Sequence, residues 1–172
     1  MPLSAVNPGR YRQLLDAKVA RVSGLLAPCS PPAPVVYPSA PTGFRMRAEF
    51  RMWHEADELN YVMFRRDDPA IRVNIDDFPI ACDRIRQLMP VLRAALKADD
   101  ILRRKLFQVE FLSTLAGETL VTLVYHRKLL PDWEVAAGRL AEALHVSVVG
   151  RSRKQKIVLG ASFVRESLRV EG

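Results

Sequence analysis

The sequence predicts an α+β fold, an antiparallel sheet with helices laid against it, on three observations. Residues 44–53 carry an apolar side chain at every second position from Phe44 to Met52. Residues 81–98 repeat apolar residues at helical spacing. Two strand-like runs, 105–114 and 119–126, flank a short turn around Ala116–Gly117.

Taken in order, residues 8–27 predict a helix, with Tyr11, Leu14, Leu15, Val19, Val22, Leu25 and Leu26 recurring three or four apart. Asn7 is its expected N-cap, Pro8 its first residue and Pro28 its stop. Residues 28–41 hold six of the twelve prolines, which excludes a helix or central strand and predicts an extended connector. Residues 1–41 are therefore read as a helix plus a proline-rich connector, and 42–172 as the α+β body of one domain. In the body, Phe44, Met46, Ala48, Phe50 and Met52 alternate with Arg45, Arg47, Glu49, Arg51 and Trp53. Such a strand buries one face and leaves the other polar.

Further strands are expected over 58–65, after a turn near Glu55–Asp57, and over 71–74. The 81–98 helix carries its stripe on Ile85, Leu88, Met89, Leu92 and Leu96, with a kink or break expected at Pro90. A helical turn over 99–104 precedes the 105–114/119–126 hairpin. Asp132 is the expected cap of a helix reaching about Leu144, and strands near 146–151 and 155–159 close the pattern.

Composition narrows the function classes. Of 172 residues, 26 are Lys or Arg and 19 are Asp or Glu, a formal net charge of +7 that favours polyanionic partners. No apolar run nears the roughly 20 residues of a membrane span, and Met1–Arg10 has no signal-peptide core, so a cytoplasmic location is expected. Cys29 and Cys82 form no CxxC pair and have no His at ligand spacing, so neither a zinc nor an iron–sulfur site is expected. The closest glycines, Gly150 and Gly160, are ten apart, which excludes a glycine-rich nucleotide cradle. The acidic pairs Asp67–Asp68, Asp76–Asp77 and Asp99–Asp100 fall beside turns and helix starts, where aspartate serves the backbone.

The basic residues fall into three clusters. Arg45, Arg47 and Arg51 share one strand face, Arg103, Arg104 and Lys105 lead into the next strand, and 151–156 holds Arg151, Arg153, Lys154 and Lys156. Together they suit a phosphate-tracking surface; separately each is also what a solvated face or protected strand edge looks like. Phe107, at a strand start, reads as core by periodicity, and His126, at a strand end, as a surface or capping residue.

Five strings then resemble one family. Phe44-Arg45-Met46-Arg47-Ala48-Glu49-Phe50-Arg51-Met52-Trp53-His54 resembles the strand motif of the bacterial tRNA (uracil-5-)-methyltransferases, with Phe44 where that family usually has Tyr. Arg72-Val73 with Asp77-Phe78-Pro79, and Leu102 to Gln108, resemble its next two blocks. Val124-Tyr125-His126-Arg127-Lys128-Leu129 with Asp132-Trp133 resembles a fourth, and Gly150-Arg151, Lys154 and Lys156-Ile157 a fifth. The strings keep the family's order across almost the whole chain.

The resemblance implies an N-terminal part that grips the T arm of tRNA, within an enzyme that uses S-adenosylmethionine to form 5-methyluridine at position 54. It moves Phe107 from expected core to expected RNA wedge and places Arg51 and His126 near RNA. The RNA-binding candidates are thus Arg45, Arg47, Arg51, Phe107, His126, Arg151 and Lys154. Nothing resembles the family's cofactor loop, its Cys-Asn-Pro nucleophile or its C-terminal glutamate base, since Ser30 follows Cys29 and Asp83 follows Cys82. No catalytic, cofactor-binding or metal-binding residue is therefore expected in this chain, and no turnover or bound S-adenosylmethionine. The iron–sulfur motif and OB-type domain of the related ribosomal-RNA enzymes are absent too. A stand-alone RNA-binding module is the alternative. Self-association is expected through apolar surface that the missing half would cover.

Overall fold

The computed structural model describes residues 7–65 and 67–168. Part of Met1–Arg10, where no signal-peptide core was expected, lies outside that range. Seven strands form one sheet: β1 (Arg47–Glu55), β2 (Glu58–Phe64), β3 (Arg72–Asn74), β4 (Leu106–Ser113), β5 (Thr119–Tyr125), β6 (Ser147–Ser152) and β7 (Gln155–Leu159). Their order is β3-β2-β1-β4-β5-β6-β7. The helices are α1 (Tyr11–Leu26), α2 (Asp83–Ala98), α3 (Asp100–Arg103) and α4 (Pro131–Leu144).

The α+β class stands, with one departure from an all-antiparallel sheet. β5 and β6 run parallel, Val121 opposite Val148 and Val124 opposite Arg151. A parallel pair cannot be closed by a hairpin, and α4 supplies the crossover. The other neighbouring strands are antiparallel.

Alternation decides which face is buried. Ala48, Phe50 and Met52 of β1 point into the core, and Arg47, Glu49 and Arg51 point away. The core face packs on α2 and α4, where Phe50 meets Tyr61, Phe78 and Phe111 at ring separations of 5.4, 5.2 and 6.2 Å. The Tyr61 hydroxyl donates to the Met89 carbonyl of α2 at 3.0 Å, and the Tyr125 hydroxyl to Leu102 at 2.8 Å. Burial pushes both phenols up from their ordinary range.

α4 docks through Trp133, fully buried and edge-on to Tyr125 at 5.7 Å. Its indole presses on Gly150 of β6, where a Cβ would lie 2.2 Å from the ring. Only glycine admits that approach.

Several local expectations are corrected. The first helix opens with a 3-10 turn, Pro8–Arg10, and the Asn7 side chain makes no cap hydrogen bond; its carbonyl accepts from Arg10 instead. α1 has no fully buried residue, and its last turn exposes Leu25 at 72%. α2 runs unbroken through Pro90, which lies on its exposed side, where water can satisfy the carbonyl that proline leaves free. Asp132 sits inside the first turn of α4, accepting from the Trp133 amide; Leu130 holds the cap position and Pro131 the first turn.

The acidic pairs do serve the backbone and nearby arginines. Asp99 caps α3 through the Ile101 and Leu102 amides, and Asp68 accepts from Ala70. Asp76 pairs with Arg93 and Asp77 with Arg86, each at 2.8 Å. No helix among the described residues is long and apolar enough to cross a membrane.

Candidate nucleic-acid interface

The face of the sheet turned away from α2 and α4 carries the candidate residues. Strand register puts Arg51, Gln108, Val124, Arg151 and Lys156 in one row across β1, β4, β5, β6 and β7. Strands lie about 4.8 Å apart, so Arg51 and Arg151 stand roughly 14 Å from each other. Lys156, paired with Arg151, was not among the sequence candidates. Recognising 153–154 as a two-residue hairpin turn would have revealed the pairing, because residues flanking such a turn face the same way.

At the β1 end of the row, three of the candidates meet. The pairing of β4 with β5 slips between Leu106 and Gln108, leaving Phe107 as the extra residue of a β-bulge. Leu106 is buried in the core, whereas Phe107 is half-buried and lies against Arg51 on the open face. Periodicity alone assigned Phe107 to the core because a bulge breaks the alternation on which periodicity relies.

The Arg51 guanidinium lies 3.8 Å from the Phe107 ring centre, and the His126 imidazole stacks on the same ring at 3.9 Å and 27°. The three groups form a cation–aromatic–imidazole stack. Two hydrogen bonds hold the bulge. A ring nitrogen of His54, Nε2, lies 2.8 Å from the Leu106 carbonyl, and the His126 amide donates to Lys105 at 3.0 Å. Lys105, at φ 58°, turns the chain into β4.

The remaining candidates do not join this stack. Arg47 is engaged by Glu49 at 3.2 Å and Glu110 at 3.8 Å, so its charge is largely spent within the sheet. Glu110 comes from β4, which the sequence of β1 alone does not reveal. Arg45 precedes β1 and lines a groove with Tyr11, Lys18, Tyr37 and Phe44 beside α1. Six residues of extended chain, roughly 20 Å, separate it from Arg51. Lys154 occupies the β6–β7 turn at φ 64°. Arg51, Arg151 and Lys156 make no ion pair among the described residues, which leaves them available to an anion.

Beside the stack, a groove of about 880 Å³ is lined by Gln108, Val124, His126, Lys128, Arg151 and Arg153, among others. Arg127, on its wall, is already committed. It donates to the carbonyls of Arg104 and Ile101 at the end of α3. Gln155 pins the same loop by accepting from the Leu129 amide at 2.9 Å and donating to its carbonyl at 3.1 Å.

Cys29 is exposed and Cys82 buried at the start of α2, and no group of three or more His, Cys, Asp or Glu capable of holding a metal occurs among the described residues. The turn from β5 into α4, where a crossover of this kind often cradles a phosphate, reads His126-Arg127-Lys128-Leu129-Leu130 and contains no glycine.

The family model described as tRNA (Uracil-5-)-methyltransferase matches residues 10–172. A tRNA/tmRNA (uracil-C(5))-methyltransferase from Chromohalobacter salexigens is 53% identical over 176 residues, covering all of this chain and 47% of that protein. One of the same description from Azoarcus sp. is 51% identical over 172 residues, with the same coverage. The chain thus spans about half the length of these relatives. Among solved structures, the Pyrococcus abyssi tRNA (uracil-54, C5)-methyltransferase in complex with S-adenosyl-L-homocysteine superposes with a TM-score of 0.61 at 18% identity. The superposition covers 92% of this chain and 40% of that one, a likeness of fold.

Proposed function

The chain belongs to the tRNA (uracil-5-)-methyltransferase family, and on that premise we propose that it is the part of such an enzyme that grips the T arm of tRNA. The parent reaction is methylation of uridine 54 at carbon 5, with S-adenosylmethionine as methyl donor, in the cytoplasm. The observation that carries the reading is the stack of Arg51, Phe107 and His126 on the open sheet face. A cation and two aromatic rings held face to face suit an RNA loop, whose bases splay and stack on side chains while phosphates take the charges.

The row supplies the rest of the grip. Arg151 and Lys156 offer cations about three or four strand spacings from Arg51, with Lys154 at the adjoining turn. Arg45, before the start of β1 and about 20 Å along the chain from Arg51, would meet a more distant part of the arm. Arg47 contributes least, because Glu49 and Glu110 hold it.

The residues present do not fit S-adenosylmethionine. The β5–α4 turn lacks glycine, and Arg127 in it caps α3. The chain therefore binds RNA without turning over, and no step of methyl transfer is assigned to its side chains. Binding falls steeply as salt rises, since each phosphate contact releases counterions.

The test is a filter-binding titration with a T-arm stem-loop RNA and an unrelated hairpin of equal length. Tighter binding of the T-arm RNA supports the reading; equal affinity for both overturns it. A parallel incubation with S-adenosylmethionine should leave the uridine unmethylated, and product formation would refute the assignment of inactivity.

A further inference from the structure

Trp53 has no role in the packing of the core. It lies on the open face two residues beyond Arg51 and is 40% exposed. Leaving so large an apolar ring in water is costly, and such rings often mark contact sites. The ring is also held in place. The Arg72 guanidinium from β3 sits 4.6 Å from its centre, and Glu55 fixes that guanidinium through a 3.2 Å ion pair.

Trp53 borders a depression of about 290 Å³, at the small end of ligand-sized sites. Its other walls are Met52, His54, Lys105, Leu106, Phe107 and His126. The lining thus combines aromatic rings with one cation and contains no carboxylate. A cationic peptide would find no carboxylate there, and an acidic peptide would pair with Lys105 but leave the rings without a stacking partner. A planar base with an adjoining phosphate finds both a stacking face and a charge.

We propose that this depression receives a second unstacked RNA base, which stacks on Trp53 while Lys105 meets its phosphate. The proposal rests on the T-arm reading and deepens it. Phe107 stacks on one base of the loop, and Trp53 holds a neighbouring nucleotide out of the stack. Arg72 and Glu55 act as positioning residues that keep the indole face presented.

The chain supplies its own reporter. It has two tryptophans, and Trp133 is fully buried, so quenching of tryptophan emission by RNA reads Trp53. The experiment titrates the 172-residue chain with a fluorescein-labelled T-arm stem-loop RNA, following binding by anisotropy and, on unlabelled RNA, tryptophan emission. We expect quenching that tracks occupancy. W53A should weaken binding by roughly tenfold, from the worth of one base–aromatic stack, and W53F should restore most of it. The slope of affinity against salt should stay that of the parent chain, because no charge changes.

RNA bound without quenching, and with equal affinity for W53A, overturns the Trp53 site and leaves the T-arm reading intact. No binding by the unaltered chain overturns both. Because Trp53 is exposed, W53A should melt close to the parent chain, and W53F provides the comparison if it does not.

Discussion

Gly150→Ala isolates the contact that seats the basic end of the sheet. Its Cβ would lie 2.2, 2.6 and 2.8 Å from three carbons of the Trp133 ring, where ordinary contact is 3.4–4 Å. The ring must therefore retreat by more than about 1 Å. It has little room, being fully buried and edge-on to Tyr125, whose hydroxyl is tied to Leu102. Overpacking of this kind costs about 3 kcal/mol, the upper end of the usual range, because three ring atoms are met at once. The smaller unfolded-state entropy of alanine returns less than about 1 kcal/mol.

For a chain of this length, the net loss of about 2–3 kcal/mol lowers the midpoint of thermal unfolding by roughly 4–12 °C. Calorimetry on the parent, G150A, W133L and the double variant gives the coupling. In the W133L background the space is vacated, so G150A should cost at least about 1 kcal/mol less there than in the parent. Equal losses in both backgrounds, or an unchanged melting temperature for G150A alone, would refute the steric argument.

Arg51→Ala should weaken T-arm RNA binding and lower the salt slope by about 1, whereas Arg47→Ala should change the slope by less than half as much, because Glu49 and Glu110 already hold Arg47. A filter-binding salt series separates the two. Gln155→Ala removes both hydrogen bonds to Leu129 and should cost about 1–2 kcal/mol by urea unfolding, loosening the loop that carries His126. The two-bond contact of Arg86 holds the Asp77 carboxyl below the usual carboxylate range. A carboxyl whose folded pKa is lowered stabilises the fold above its unfolded value near 3.9 and loses that contribution as pH falls through the folded one. Asp77→Asn should therefore flatten the acid limb of a stability profile below about pH 4, and an identical limb in both proteins would contradict the pairing.

How far the sequence revealed this structure depends on how local each feature is. The 44–53 alternation and the 81–98 stripe are set by residues a few positions apart, and both elements form with the expected faces, except that β1 starts at Arg47 and leaves Phe44 outside it and exposed. The parallel β5–β6 pair depends on where α4 returns the chain, which no local pattern encodes. Phe107 was read two ways, as core from its period and as RNA wedge from the family resemblance. A single extra residue in β4 puts it on the open face. The arginine face of β1 was visible, but the partner that quiets Arg47, Glu110, lies sixty-three positions away. α1 follows its apolar repeat yet buries none of it fully, because a stripe states what a helix could bury and not what stands opposite. The family resemblance singled out Arg51, Phe107 and His126 one by one; that the three meet in one stack follows from the fold and from no spacing in the sequence.

The most direct test of the account is the affinity of Phe107→Ala for a T-arm stem-loop RNA, measured beside an unrelated hairpin and the melting temperature. Loss of a stacked ring should weaken T-arm binding by about 1–3 kcal/mol, roughly 5- to 150-fold, with the hairpin affinity and the fold little changed. If the protein instead melts much earlier while its folded fraction binds T-arm RNA as tightly as before, Phe107 is a packing residue and the stack is not the grip.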